Sequence, residues 1–268
     1  MGANIKELRV RIKSVDSTLH LTKAMGLVAS SKIRRASEAM IRSREYARAV
    51  QETVDILAAS SECQKSVYMQ KRDGKRSRVI LIAGDRGLAG GYNANVFRLA
   101  ATLSDVDFIP IGKRAYERFP AGELITAEAF SLADAMQLAR LLCSDFASGE
   151  FDRLGILSTR YVSMLTQEAE ISWLLPFAPK RTVESHGMIF EPDELHILNA
   201  AIPEYVAGIL TAAVRESFAC EVAARRMAMD SAGKNAQQMI DNLQLAYNRA
   251  RQGAITQEIT EIVAGSGM

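Results

Sequence analysis

Steps of three and four from Ile5 pass through Leu8, Ile12, Val15, Leu19, Thr22, Gly26, Ala29, Ile33, Ala36, Met40, Ser43, Ala47, Val50, Val54 and Leu57, and only Thr22, Gly26 and Ser43 are not apolar. A spacing that averages 3.5 residues and holds this long is a coiled-coil seam, narrower than the stripe of a globular helix. With no proline before Pro110, the pattern predicts one helix, about 80 Å long at 1.5 Å per residue. The seam narrows at Thr22, Gly26 and Ala29, while Ala24, Met25 and Val28 make a second apolar edge beside it. This stretch is expected to touch more than one neighbour.

The other end of the chain repeats the habit. Leu210, Ala213, Ser217, Cys220, Ala224 and Met227 step in the same way, then after a phase shift Ala232, Ala236, Met239, Leu243, Ala246 and Ala250, then Ile255, Ile259 and Ile262. Two long helices at opposite ends can bury narrow seams on each other, antiparallel, if the middle of the chain turns round compactly. In the middle the period changes. RVILIA (78–83), FIPIG (108–112) and LGILST (154–159) read as short buried strands, and 95–103, 113–119 and 132–146 as helices. That alternation belongs to a parallel α/β sheet. EAEISWLL (168–175) reads as an edge strand after a turn at 164–167, and 70–77 and 176–187 as connections. Glu191, Asp193 and Glu194 beside Pro192 read as a helix start, with His196 in a short helix. The fold class is α/β with a long antiparallel coiled coil: an N-terminal coiled-coil helix (1–60), a central Rossmann-like domain with its linkers (61–200) and a C-terminal coiled-coil helix (201–268).

Charge changes the picture at one end only. The whole chain of 268 residues carries a formal +2, but residues 1–50 hold 11 Lys or Arg against four acids. A basic rod suits acidic partners. The three cysteines are far apart with no CxxC, which suggests neither a disulfide framework nor a zinc site and fits a reducing compartment. No apolar run approaches the roughly 20 residues that cross a bilayer, Lys6 stands where a myristoylation signal wants Ser or Thr, and no cleaved targeting peptide is expected. Any membrane attachment is expected to come through other chains.

The stretch IAGDRGLAGGYN (82–93), between a strand and a helix, raises phosphate binding. It is neither GxxxxGK[ST] nor GxGxxG, so the lysine and hydroxyl that grip phosphate and magnesium are missing. The plainer expectation is a tight turn in which glycines supply positive φ and Asp85 or Asn93 caps backbone groups. His20, His186 and His196 have no metal-ligand spacing, and neither GxSxG nor HExxH occurs. The eleven methionines at helical positions read as core filler. No catalytic, cofactor-binding or metal-binding residue is expected.

Three blocks, in order, carry a family resemblance: HLTKAM (20–25) with VASSKIRR (28–35), GDRGLAGGYN (84–93), and ARRMAMDSAGKNAQQMIDNLQLAYNRARQGAITQEITEIVAGSG (224–267). Together they resemble the gamma subunit of F-type ATP synthase across nearly the whole chain, the last block most specifically. The resemblance implies a rotor shaft. Its two terminal helices would stand inside a ring of three alpha and three catalytic beta subunits, with the central domain at the base against the epsilon subunit and the ring of c subunits. Turning an off-axis rod would exchange the beta conformations and couple proton-driven rotation to ATP synthesis or hydrolysis, with no bond made by the shaft. The setting implied is the cytoplasmic face of a bacterial membrane, peripheral, with no direct insertion.

Carried over by motif, Lys23, Met25, Arg34 and Arg35 on the first helix and Arg251, Gln252, Thr256 and Glu258 on the last would contact beta-subunit loops. The sequence departs from the family at Gly26, where a long polar residue often follows Met, and at Gly253, which replaces a usual alanine. Each glycine costs roughly 0.5 to 1 kcal/mol of helix stability relative to Ala. Ala89 replaces a common cysteine, the chain is shorter than many relatives at 60–77 and 176–187, and the regulatory insertion of chloroplast relatives is absent. Two rivals compete with this reading. A basic coiled-coil scaffold or nucleic-acid-binding protein predicts aromatics interleaved with the basic residues, and Tyr46 is the only aromatic in residues 1–50. A nucleotide-dependent enzyme needs phosphate-gripping residues that the glycine loop lacks.

Overall fold

A computed structural model describes residues 2–72, 74, 76–179 and 190–266, with the backbone alone for 2–4. His186 lies outside the described residues, as does most of the 176–187 connection. The elements in order are helix α1 (Gly2–Ala58), a 3₁₀ turn (Glu62–Lys65), strand β1 (Ser77–Ile82), helix α2 (Tyr92–Ala100), strand β2 (Val106–Ile111), helices α3 (Lys113–Arg118) and α4 (Leu132–Ser148), strands β3 (Arg153–Tyr161) and β4 (Gln167–Leu175), and helix α5 (Glu194–Gly265). They form two compact units, one made of the described residues up to Ser30 and from Arg225 onward, the other of Ser31–Ala224.

The larger unit is built on a sheet ordered β2-β1-β3-β4, with β4 antiparallel at the edge and the other pairs parallel. Val79 to Ile82 of the central strand β1 are apolar without a break because both faces of the sheet are covered there, as in parallel sheets generally. Val79 and Leu81 pack with Leu157 against Val96 and Ala100 of α2. Ile80 and Ile82 face the other way, into a core with Leu142 and Phe146 of α4, Val54 and Leu57 of α1, and Leu198, Ile202 and Leu210 of α5. Helix α4 opens with the reciprocal Ser131–Asp134 capping box and closes at Gly149 in the left-handed region. Within this unit α1 and α5 run antiparallel: Ala36 and Met40 pack on Ala219, and Tyr46 and Val50 stand beside Gly208.

In the smaller unit the same two helices pair again. Ser30 meets Arg226, Gly26 faces Met229, Thr22 and Leu19 lie against Gly233, and Arg9 reaches Tyr247 at 2.9 Å. Numbers fall on one helix as they rise on the other. Every α1 seam position from Ile5 to Leu57 is buried or half-buried.

Three expectations need correction. The C-terminal seam is Met229, Gly233, Ala236, Ile240, Leu243, Tyr247, Ala250 and Ala254, all buried or half-buried, whereas Met239 and Ala246 are exposed. The pairing with α1 keeps one heptad phase through Gly233, so position outweighs apolarity. Second, α5 is not a short helix at His196 followed by another. It starts at Glu194, where Asp193 accepts the amide of His196 at 2.7 Å, and runs through Pro203 without a break. Third, α5 does contain a stretch long and apolar enough, by length and composition, to cross a membrane, and half of it is buried inside the protein. Its apolarity matches its place in the core of the larger unit.

Candidate partner-contact surfaces

The glycine loop is occupied by its own structure. Asp85 Oδ1 accepts the amides of Lys113 and Ala127, both at 3.1 Å, and Oδ2 accepts that of Glu128 at 2.8 Å. Asn93 Oδ1 accepts the Gly84 amide at 2.9 Å, and buried Glu221 of α5 accepts that of Arg86 at 3.3 Å. Ala89 and Tyr92 are buried with Cys220. The loop's amides and its Asp85 carboxylate are thus engaged with the protein itself, and the loop ties β1, α3, the 127–128 turn and α5 together. Positive φ falls at Leu88 and Gly90, so only one of the loop's glycines uses the left-handed freedom expected of them.

The outward faces of the paired helices are different in kind. On α1, Lys23 is exposed and Met25 half-buried, beside Leu21, Leu27 and Val28, which are 60%, 72% and 54% exposed. Arg34 is exposed and paired with Glu38 at 3.4 Å. Arg35 lines a cleft of the larger unit with Lys32, Arg215 and Glu128 over an apolar floor of Ala36, Ala39 and Phe218. Lys32 Nζ lies 2.5 Å from Glu128.

On α5, Arg251, Gln252, Thr256 and Glu258 are all exposed and occupy two consecutive turns, with the Thr256 hydroxyl donating to the Gln252 carbonyl at 2.9 Å. Around them Ile255, Ile259, Ile262 and Val263 are exposed too. These isoleucines were expected to continue the seam. The register fixed by Arg9 and Tyr247 brings Gly2 level with about Ala254, and among the described residues these apolar positions of α5 are exposed beyond the paired length. Within the smaller unit the structure does not gather Lys23 and Met25 with Arg251, Gln252, Thr256 and Glu258 into one site. Lys23 and Met25 lie level with Asp230–Gly233, roughly 30 Å along α5 from Arg251 at 1.5 Å per residue. The Ile255–Val263 stripe escaped the sequence pattern because its period is that of a seam; its overhang is a matter of register.

A family model described as ATP synthase matches residues 4–267. An ATP synthase gamma chain from Ruminococcus albus is 42% identical over 281 residues, covering 98% of each chain. The chain belongs to the ATP synthase gamma-chain family. Two solved structures share the fold: the rotor of the Euglena gracilis mitochondrial ATP synthase in rotational state 1, with a TM-score of 0.65, 20% identity and coverage of 95% of this chain and 100% of that one; and the OSCP/F1/c-ring assembly of the same enzyme in rotational state 3, with a TM-score of 0.67, 19% identity and coverage of 99% and 94%.

Proposed function

We propose that this gamma chain is the non-catalytic central shaft of a bacterial F-type ATP synthase. Residues 1–60 and 201–268 supply its paired helices and 61–200 its body. The observation that carries the reading is the α1–α5 register: the two helices pair antiparallel within each unit, and among the described residues Ile255, Ile259, Ile262 and Val263 of α5 are left exposed. A solitary apolar helix end is costly in water, so a partner has to cover it. On this reading three alpha and three beta subunits surround that end and the paired helices; the similar Euglena chain belongs to an assembly described as OSCP/F1/c-ring. Arg251, Gln252, Thr256 and Glu258 meet beta loops near the tip, and Lys23, Met25, Arg34 and Arg35 meet them lower down.

An off-centre rod presents a different face to each beta subunit at any moment. The energies of the three beta conformations therefore differ, and rotation exchanges them. The chain makes and breaks no bond. Its base meets the epsilon subunit and the c-subunit ring, which holds it peripherally at the cytoplasmic face of the membrane and drives it by proton flow. The test is to reconstitute the chain with alpha and beta subunits, attach a bead to the α/β body and add ATP. Unidirectional stepping of the bead is expected. Alpha and beta subunits that turn over ATP at the same rate with and without the chain, and a bead that only diffuses, would overturn the shaft reading.

A further inference from the structure

Strand β3 outruns its parallel neighbour. β1 accompanies it from Ser77↔Arg153 to Leu81↔Leu157, whereas β4 stays with it to Tyr161↔Gln167. At the uncovered end, Thr159 and Tyr161 still have backbone groups that need partners. Side chains of the two helices supply them. The Thr159 amide donates to Ser217 Oγ at 3.1 Å, and the Cys220 thiol donates to the Thr159 carbonyl at 3.5 Å. The Tyr161 amide donates to Glu216 Oε1 at 2.7 Å, and Arg44 Nη2 donates to the Tyr161 carbonyl at 3.0 Å. Arg44 and Glu216 also hold each other with two prongs, Nη2 to Oε1 at 2.6 Å and Nε to Oε2 at 3.1 Å. In this way α1 and α5 continue the ladder that β1 abandons.

Apolar packing between the helices and the sheet resists separation, but it is not directional and allows a helix to roll. A two-pronged, charge-assisted pair that also grips both backbone groups of one strand residue fixes the rotation of the helices against the sheet. The Glu216 side chain is only 16% exposed, which limits screening by solvent. Tyr161 itself packs against the Ala36–Met40–Ala219 cluster, so the grip sits on a wedged residue.

We propose that Arg44 and Glu216 are positioning residues for rotary coupling: they form the joint through which torque passes between the α/β body and the helix pair. This rests on the shaft reading above. The test compares two rates for each variant: ATP hydrolysis by alpha, beta and the variant chain in solution, where no torque need cross the joint, and proton-driven ATP synthesis by the complete enzyme in vesicles, where it must. Arg44→Ala is expected to keep hydrolysis within about twofold of wild type and to lower synthesis about 2- to 30-fold, the range over which breaking one link shifts coupling between sites. Glu216→Gln keeps an acceptor for the Tyr161 amide and is expected to fall between wild type and Arg44→Ala. The double variant is expected to be no worse than Arg44→Ala, because the two residues act as one unit. If Arg44→Ala does not assemble, Glu216→Gln alone carries the comparison. Unchanged synthesis, or synthesis and hydrolysis falling together, would overturn the joint. A wild-type chain that fails to drive bead rotation would remove the shaft reading and the joint with it, a result visible before any variant is made.

Discussion

A Cβ placed on Gly26 of α1 would lie 3.7 Å from the Cβ of Met229 on α5, an ordinary van der Waals contact. The glycine in the narrow part of the seam is thus not required by close approach of the two backbones. Gly26→Ala should remove an internal-helix penalty of about 1 kcal/mol and raise the midpoint of thermal unfolding. Gly253, with open space around its Cα, should behave likewise, and the assembled complex should stay active with both changes. Calorimetry on the chain checks the sign; a lower midpoint for Gly26→Ala would mean that Met229 cannot accept the methyl group.

Gly112 is the opposite case. It sits at a φ of 99° between β2 and α3, and a Cβ there would run into the Ala83 carbonyl oxygen, which is fixed because the Ala83 amide is bound to Ile111 at 3.0 Å. Gly112→Ala combines left-handed strain with a backbone clash and should cost more than about 3 kcal/mol. Soluble yield and circular dichroism of the variant, beside Gly26→Ala as a control, are the readouts, and a native-like melt would contradict the geometry.

Asp85 accepts three backbone amides, so Asp85→Ala should destabilise the chain by about 2 to 4 kcal/mol, since bonds to a charged acceptor contribute about 1.5 to 3 each and some are recovered by water. The same occupancy predicts that micromolar ATP produces no thermal shift in the wild type. Saturable stabilisation by ATP that disappears on substituting Asp85 or Arg86 would show that the loop does hold nucleotide.

All three cysteines are buried and unpaired by disulfide. Burial pushes the Cys143 thiol from 9.0 up to about 12. Burial also raises Cys220, with Glu216 adding to it and Arg44 opposing, and burial followed by Glu194 and Asp193 raises Cys63. A disulfide-exchange reagent at pH 8 should therefore leave the folded chain unlabelled and react with all three thiols in denaturant. The unfolded thiols lose their protons near pH 9 while the folded ones keep theirs. Between those values the unfolded state binds fewer protons, and stability falls as pH rises, by about 1.4 kcal/mol per pH unit for each thiol affected. Below pH 8 the thiols contribute no slope. Denaturant midpoints at pH 8 and pH 10 check the sign.

Arg251 and Gln252 stand exposed on the last turns of α5 and make no seam contact that would be needed for folding. The double variant Arg251→Ala, Gln252→Ala should leave the chain's own melting unchanged and assemble with alpha and beta subunits, yet lose well over tenfold in ATP turnover. Truncating one side of a buried interfacial charge pair costs about 2 to 5 kcal/mol. Wild-type turnover in a fully assembled variant would sink the contact assignment, and failed assembly would show a role in building the complex.

The hydrophobic period of the sequence by itself determined α1 residue by residue, because a heptad seam is a local property of spacing and Ile5 to Leu57 all turn inward as spaced. It also determined the three parallel strands and the edge strand, whose apolar runs and turn residues are local signals. What it could not determine was anything that depends on the partner of an element. The phase of the C-terminal seam is set by which α5 residues meet Gly26 and Arg9, so Ile240 and Tyr247 are inside while Met239 and Ala246 are out. The exposure of Ile255, Ile259 and Ile262 is likewise a matter of the register between α1 and α5. The loop at Asp85 shows in the sequence only a missing phosphate-gripping lysine, and only the fold brings the amides of Lys113, Ala127 and Glu128 to its carboxylate. The grip of Arg44 and Glu216 on Tyr161 joins residues 55 to 172 positions apart, and no periodicity encodes it: side-chain hydrogen bonds are directional and short-ranged, so they exist only once packing has brought their ends together.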